Sequence, residues 1–255
     1  MEANLSFSDD IRLAVVIMKN EILKHMRGKR ILVFGIIVAL ILVGITAALV
    51  LTKNNILDSP TLFCEQFLGL ITLLVVIGAT IFGATAIVSE FEERTALILF
   101  NRPIRKWSIF VGKFAAAFLT VSAIMVFYYV FVIVACMILT GGIPGDIWIS
   151  LILCLFYVFG TVGIAMMFSS LMKKSATASI LTFFAIILLF DTVASIVAAV
   201  AEIGDTWFML NTAANSITDV LKDADAQVLR DIAVMFVWGL VPAILGFVKF
   251  RDRDF

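Results

Sequence analysis

A charged segment between two apolar stretches carries the side chains best suited to bind another protein. Its first half supplies carboxylates and its second half cations: Glu90, Glu92, Glu93, Arg102, Arg105 and Lys106. A connection that only reversed the chain would need a few polar residues, whereas this one keeps a helical middle at 95–100 and a helix stop at 101–103. Opposite charges on a short helix can form charge-assisted contacts with a soluble partner. We therefore predict a docking site at 89–108; the alternative is a positively charged loop balanced by its acids.

The sequence lacks the groups that would make the chain an enzyme. Gly112-Lys113 is followed by Phe114 and has no glycine at the required distance before it, so it is not a phosphate loop. His25 is the only histidine, which leaves no histidine-based metal site or protease dyad. The three cysteines lie in or beside apolar stretches, as small hydrophobic residues without a redox role do. We predict no ATP hydrolysis by this chain, no cofactor or metal of its own, and no nucleic-acid partner.

Asp191 is the one charged side chain expected deep within an apolar stretch and not near its ends. A carboxylate at the centre of a membrane helix costs roughly 2.5–3.5 kcal/mol on insertion scales, so its presence needs an explanation. One interpretation places Asp191 on a pathway or at a subunit contact, assisted by Ser195. The other lets the helix end early, so that Asp191 lies near the outer headgroups.

Composition shows that these residues are positioned by membrane helices. Of the 255 residues, 62% are apolar and 15% charged, and the mean hydropathy is +1.12, which is typical of an integral membrane protein and not of a soluble domain. About 20 apolar residues cross the hydrocarbon layer. Six stretches qualify, which predicts an all-α membrane protein with spans at 31–52, 66–88, 109–139, 147–171, 176–200 and 231–250.

The basic residues predict the orientation. Sixteen of the nineteen lysines and arginines fall in the N-terminal segment, in or just beyond the link 89–108, in the link 172–175 or in the last residues from 249 onward; the others are Lys53, Lys222 and Arg230. Since lysine and arginine concentrate on the cytoplasmic side, both termini are predicted to be cytoplasmic in a multi-pass protein of the plasma membrane. The chain then divides into a cytoplasmic N-terminus at 1–30, a six-helix domain at 31–250 and a tail at 251–255.

Two segments outside the spans have amphipathic patterns. In 9–27, an apolar stripe runs beside basic residues, which is typical of a helix in the membrane interface; the stripe is Ile11, Ala14, Val15, Met18, Ile22 and Met26. The alternative is a charged anchor that only fixes topology. The outer link 201–230 is acidic and carries a second stripe, formed by Trp207, Leu210, Ala214, Ile217 and Leu221. It is predicted either to cap the outer mouth of a pathway or to rest on the headgroups as a solvated helix.

The charged segment resembles one found in membrane subunits of type-two ABC transporters, the exporter-type permeases that work with a separate ATPase. The similarity lies in Glu90-Phe-Glu-Glu-Arg-Thr95, then Leu99, then Arg102-Pro-Ile-Arg105, then Gly112-Lys113 at the opening of the third span. The closing residues 250–255 are similar to the basic-acidic tail of this family. Arg94 stands where many members have glycine.

The resemblance implies that 89–108 contains a coupling helix seated in a groove of a soluble ABC ATPase, which binds ATP and Mg²⁺. The coupling residues would be Glu90, Glu92, Glu93, Arg94, Thr95, Arg102 and Arg105. A second copy or a related permease would complete the transporter, and membrane lipid would surround it. The function implied is that of an exporter permease. The alternative is a permease-like mechanical transmitter, which passes ATPase motion to an extracytoplasmic protein without moving a solute.

Overall fold

The computed structural model of the protein is a bundle of α-helices. It describes residues 7–52, 59–92, 105–201, 206–222 and 227–252. The helices are α1 (Phe7–Arg27), α2 (Arg30–Thr52), α3 (Pro60–Leu68), α4 (Ile71–Phe82), α5 (Val88–Glu92), α6 (Lys106–Thr140), α7 (Ile147–Leu171), α8 (Ser175–Phe184), α9 (Phe190–Ala201), α10 (Leu210–Ala214), α11 (Ser216–Asp219) and α12 (Val228–Arg251). A π-helical turn, Ala185–Leu189, joins α8 to α9, and a 3₁₀ turn, Val220–Lys222, follows α11.

Six helical stretches are long and apolar enough to cross a membrane, which confirms the predicted fold class. They are Arg30–Leu51, Pro60–Phe82, Lys106–Thr140, Ile147–Leu171, Ser175–Val200 and Val228–Arg251. The third comprises 35 residues, about 52 Å at 1.5 Å per residue. Because the hydrocarbon layer is about 30 Å thick, α6 is long enough to tilt or to extend beyond it, as its sequence predicts.

The second span lies six residues earlier than its predicted position at 66–88. It begins at Pro60, which occupies a first-turn position of α3, where the missing N–H of proline costs no hydrogen bond. It ends at Phe82, and residues 83–87 form turns before α5. Apolar residues 84 and 86–88 extended the predicted span, but they are buried within the protein. The span is also interrupted at Gly69 and Leu70, between α3 and α4.

The packing of α7 against α12 forms the centre of the bundle. A Cβ on Gly163 would collide with the backbone of Gly239, and a Cβ on Gly246 would lie 2.9 Å from the Cα of Met167. Glycine is therefore needed where these two helices meet, as close helix approach in membranes generally requires small residues. The pair places Phe159 of α7 in parallel contact with Phe236 of α12, with ring centroids 5.3 Å apart.

The outer link folds back into the bundle. Its stripe residues Leu210, Ala214, Ile217 and Leu221 are buried, whereas Trp207 is exposed. Trp238 of α12 donates its indole N–H to the Phe208 carbonyl at 2.8 Å, and Ser150 of α7 donates to the Ile217 carbonyl at 2.6 Å. Trp238 lies ten residues into α12, about 15 Å along it. Residues 206–222 thus re-enter the span region between α7, α9 and α12. The N-terminal end of α12 lies inside the predicted link 201–230, because this helix begins at Val228.

Candidate functional site

The candidate site is built where α1, α5, α6 and α8 meet at one end of the bundle. The chain enters it through the turns after α4, and the Ser169 hydroxyl of α7 fixes this entry. It accepts hydrogen bonds from the backbone N–H groups of Ile87 at 2.9 Å and Val88 at 3.1 Å. These N–H groups lie at the start of α5, where a helix leaves its first donors without partners. Ser169 therefore holds the charged segment on the end of a membrane helix.

The Lys113 ammonium lies at the centre of this site. Its Nζ donates to Glu21 Oε2 of α1 at 2.9 Å and to Glu90 Oε1 of α5 at 3.0 Å. Lys24 Nζ donates to the same Glu90 oxygen at 3.1 Å. The Lys113 side chain is only 3% exposed, so its charge depends on these carboxylates for compensation. We call Glu21, Lys24, Glu90 and Lys113 the Lys113 junction; it joins α1, α5 and α6.

A second ion pair fixes the other end of α1. Arg105 Nη1 donates to Asp10 Oδ2 at 2.9 Å, and the Asp10 side chain is fully buried. Between this pair and the Lys113 junction, the backbones of α1 and α6 are in direct contact. A Cβ on Gly112 would lie 2.7 Å from the Ala14 carbonyl oxygen, so only glycine fits there. Gly112 and Lys113 thus form one docking surface for α1: glycine permits close approach and lysine supplies the charge.

The buried face of α1 is polar, which the sequence pattern did not reveal. It consists of Asp10, Ala14, Glu21 and His25. Of the predicted apolar stripe, Ile11, Val15 and Met26 are exposed on the structure, where they are suited to contact lipid. The prediction of a helix at 9–27 is confirmed. The inward face was missed because its partners lie 92 and 95 residues away along the chain.

Glu92 connects α5 to the fifth span. Its Oε2 accepts a hydrogen bond of 2.9 Å from the backbone N–H of Ser175, the first residue of α8. A carboxylate at a helix N-terminus satisfies a free N–H and interacts favourably with the helix dipole. Hydrogen bonding by Ser175 lowers the pKa of Glu92 below its usual value, and the charge of Lys174 acts in the same direction.

The predicted coupling residues fall into two groups. Glu90 belongs to the Lys113 junction, Glu92 bonds to the start of α8, and Arg105 pairs with Asp10 at the other end of α1. Glu93, Arg94, Thr95 and Arg102 lie outside the described residues, and so does the predicted helical middle at 95–100. The residues that the sequence reasoning did not select are Asp10, Glu21, Lys24 and Ser169. For Asp10 and Glu21, the available signal was their acidic character within an otherwise basic N-terminal helix.

His25 is buried beside the Lys113 junction. Its side chain is 1% exposed, and its ring meets the edge of Phe82 with centroids 5.0 Å apart. Neither ring nitrogen has a hydrogen-bond partner among the described residues. Burial lowers the pKa of His25 to about 4; Glu21 opposes this shift, whereas Arg30, Lys113 and Lys24 add to it. His25 is therefore neutral at pH 7.

A separate polar cavity of about 400 Å³ lies around Asp191. Its polar lining comprises Thr72, Tyr157, Asp191, Asn211, Thr212 and Asn215. Asn211 Nδ2 donates to Asp191 Oδ1 and to the Ile186 carbonyl, both at 2.7 Å. The Ile186 carbonyl belongs to the π-helical turn, so the re-entrant link is bonded to the fifth span at this turn. Ser195 does not line the cavity; its hydroxyl donates to the Asp191 carbonyl at 2.8 Å.

The depth of the cavity follows from helix geometry. Tyr157 lies ten residues into α7 and Ile186 eleven residues into the fifth span, so both are about 15 Å from the ends of their helices. Asp191 lies within the helical stretch Ser175–Val200, so the helix continues past it. The two predicted depths of Asp191, on a pathway or near the outer headgroups, stay predictions.

Comparison with protein families gives one match. The model of a family described as "ABC-2 family transporter protein" matches residues 15–255. This range contains the six spans, the Lys113 junction residues and the cavity around Asp191. No curated protein matches the sequence.

Lys113→Met should destabilise the protein by about 3–5 kcal/mol, because it leaves two acidic side chains near the protein interior with less compensation. Lys113→Met combined with Glu21→Gln should recover part of this loss, since the double variant removes both members of a buried pair. The measurement is the unfolding midpoint of the purified protein in detergent. Lys19→Met, on the exposed side of α1, is the matched control. Equal destabilisation by Lys113→Met and Lys19→Met would contradict the structural role of the junction.

His25→Leu should reduce the acid sensitivity of the protein. The pKa of His25 is about 4 in the folded protein, against 6.5 for an unperturbed histidine. The unfolded chain therefore binds more protons between these two values, and stability falls as pH decreases from 6.5 to 4. The contribution lost is about 3 kcal/mol by linkage, since one pKa unit corresponds to about 1.36 kcal/mol.

The check is the pH dependence of the unfolding midpoint, compared between wild type and His25→Leu. Acidic groups remain in both proteins and cancel in the difference. Identical pH profiles would be evidence against a buried neutral His25.

Proposed function

Because the chain belongs to the ABC-2 family of transporter proteins, we propose that it is the membrane-spanning permease subunit of an ATP-driven exporter. A separate soluble ABC ATPase binds ATP and Mg²⁺ and docks on segment 89–108. The exporter lies in the plasma membrane with both termini cytoplasmic, an orientation supported by the distribution of lysine and arginine. The chain supplies binding and motion, and the ATPase supplies the chemistry.

The observation that carries the proposal is that both described ends of segment 89–108 are fixed to membrane helices. The first end is held by Ser169 and Lys113, through Val88 and Glu90. At the other end, Arg105 is bonded to Asp10 and immediately precedes α6. A partner that displaces residues 93–104 therefore pulls on α1, α6 and α7 together. Such a rigid connection suits a transporter that switches between two states by rigid-body movement.

We further propose that two permeases, identical or related, face each other. The stretches Arg30–Leu51 and Ser175–Val200 are the least buried of the six, with 17% and 11% of their most apolar residues buried. A surface of this kind suits either lipid or another membrane helix. The cavity around Asp191 borders the second of these stretches and would then form part of the pathway, with Asp191 as its charged group and Ser195 behind it.

Reversing two charges in the segment should detach the ATPase. The variant Glu92→Lys with Glu93→Lys places cations where the partner is expected to meet carboxylates. We expect its ATPase recovery in mild detergent to fall at least tenfold, corresponding to about 1.4 kcal/mol or more of lost binding, while membrane insertion is unchanged. The measurement is quantitative mass spectrometry of proteins that co-purify from the native cells.

Asp146→Lys, at the opposite end of the bundle before α7, is the matched control. It should leave ATPase recovery at the wild-type level. Full recovery and full stimulation of the ATPase with the Glu92 and Glu93 variant would overturn the coupling assignment. A secreted protein that co-purifies stoichiometrically, without ATP-dependent solute movement in vesicles, would support a mechanical transmitter instead.

Asp191→Asn should impair transport without affecting assembly. The amide has the same shape and can keep a hydrogen bond with Asn211, but it removes the charge from the cavity. We expect slower ATP-dependent solute movement in vesicles and unchanged ATPase recovery. Thr192→Val is the control, because the Thr192 hydroxyl donates to the Leu188 carbonyl of its own helix. Wild-type transport by Asp191→Asn would remove Asp191 from the pathway.

A further inference from the structure

An apolar cavity lies between α6 and α12, at the same end of the bundle as the Lys113 junction. Its volume is about 360 Å³, and all its lining side chains are aromatic or aliphatic. Trp107, Phe110 and Phe114 come from α6, Ala243 and Phe247 come from α12, and Phe159 of α7 also lines it. We call this cavity the aromatic groove.

The aromatic groove opens sideways between two membrane helices. Val111 and Ile244 also line it, and their side chains are 45% and 52% exposed. Trp107 and Phe114 are two turns apart on α6, so the groove extends about 10 Å along the helix axis. Within a membrane, an elongated apolar cavity of this kind faces hydrocarbon chains, whose contact with aromatic side chains costs no polar desolvation.

Basic residues surround the end of the groove. Lys106 Nζ donates to the Arg251 carbonyl at 2.7 Å and so joins the first turn of α6 to the end of α12. Arg251 follows Phe247 by four residues, which places both on one face of α12. The Arg251 side chain is 62% exposed. Asp252 accepts from Arg251 Nε at 3.2 Å, which uses one of the five N–H donors of the guanidinium.

We propose that the aromatic groove and its basic rim bind an anionic phospholipid. One acyl chain occupies the groove, and the phosphate group contacts Arg251. Both parts of the ligand are matched: a hydrocarbon chain by the apolar lining and a phosphate by the guanidinium donors. The rim lies at the lysine- and arginine-rich end of the bundle, which is the expected cytoplasmic side, where basic pockets between membrane helices bind anionic headgroups.

Charge distinguishes this ligand from a second copy of the chain. A symmetric dimer brings the same surface of both subunits together, so a dimer formed through the groove would place two basic rims against each other. That arrangement is unfavourable because like charges repel. An anionic lipid removes this repulsion and also fills the groove.

Trp107 provides a direct test, since brominated acyl chains quench a tryptophan that they contact. The purified full chain is placed in bilayers of phosphatidylcholine with either brominated phosphatidylglycerol or brominated phosphatidylcholine. The fluorescence of Trp107 is obtained as the difference between the fluorescence of the wild type and that of Trp107→Phe. The same difference for Trp148→Phe reports on bulk lipid, because Trp148 is 60% exposed at the opposite end of the bundle.

We expect brominated phosphatidylglycerol to quench Trp107 about fivefold or more strongly than brominated phosphatidylcholine does. At Trp148 we expect the two lipids to quench equally. Arg251→Gln should abolish the preference at Trp107. Ala243→Phe should reduce quenching of Trp107 by both lipids, because it fills the groove. Ala233→Phe, at an exposed position of α12 outside the groove, should leave the quenching unchanged.

Three results would overturn the proposal. Equal quenching of Trp107 by the two lipids would show that the rim does not select anionic headgroups. Normal quenching in Ala243→Phe would show that no acyl chain lies in the groove. Absence of quenching by either lipid, with the protein dimeric, would show that a second copy covers it.

Native mass spectrometry gives an independent reading that needs no tryptophan variant. After exchange into an equal mixture of the two lipids, the wild-type chain should retain phosphatidylglycerol. Arg251→Gln should retain the two lipids equally. Equal retention by the wild type would contradict the proposal, whatever the ATPase and transport assays show.

Discussion

The buried ammonium of Lys113 is the constraint on which this end of the molecule depends. Removing a cation from water costs several kcal/mol, and only nearby carboxylates with good geometry offset it. Glu21 and Glu90 provide them, at 2.9 and 3.0 Å. Since Glu21 belongs to α1 and Glu90 to α5, the charge on α6 determines where two other helices lie. Glu90 is also shared with Lys24, so displacing any one of the three helices leaves a charge without its partner.

This constraint fixes the position of α5, where the charged segment begins. The Ser169 hydroxyl ties the start of α5 to α7, and α7 is packed against α12 through glycines at 163, 239 and 246. The Lys113 junction is therefore attached to the most closely packed helix pair of the bundle. Close-packed interfaces resist continuous deformation and shift between discrete arrangements. A displacement of α5 would therefore move whole helices.

The sequence predicts those features that depend on local composition. Six apolar stretches give six spans, and the stripe around Ile11 and Val15 gives helix α1. The residues that fix α1 to α6 could not be assigned this way, because Asp10 and Glu21 pair with residues about ninety positions away. For the same reason, the sequence allows two interpretations of the outer link. Its apolar stripe indicates a buried face, but the sequence does not identify α7 and α12 as the helices that cover it. The end of the second span differs from its predicted position because residues 84 and 86–88 are apolar but buried in protein, a distinction that hydropathy does not make.

The fifth span connects α5, which carries Glu90 of the Lys113 junction, with the polar cavity around Asp191. Glu92 caps the first N–H group of α8, and the same helix leads, through the π-helical turn, to Asp191. A π-helical turn departs from the regular i to i+4 hydrogen-bonding pattern and often marks a functional position. Here its Ile186 carbonyl is bonded to Asn211, which also holds Asp191. Movement of α5 would thus reach the cavity through one continuous helical stretch. It would arrive at the π-helical turn, where the Asn211 amide donates to both the Ile186 carbonyl and the Asp191 carboxylate.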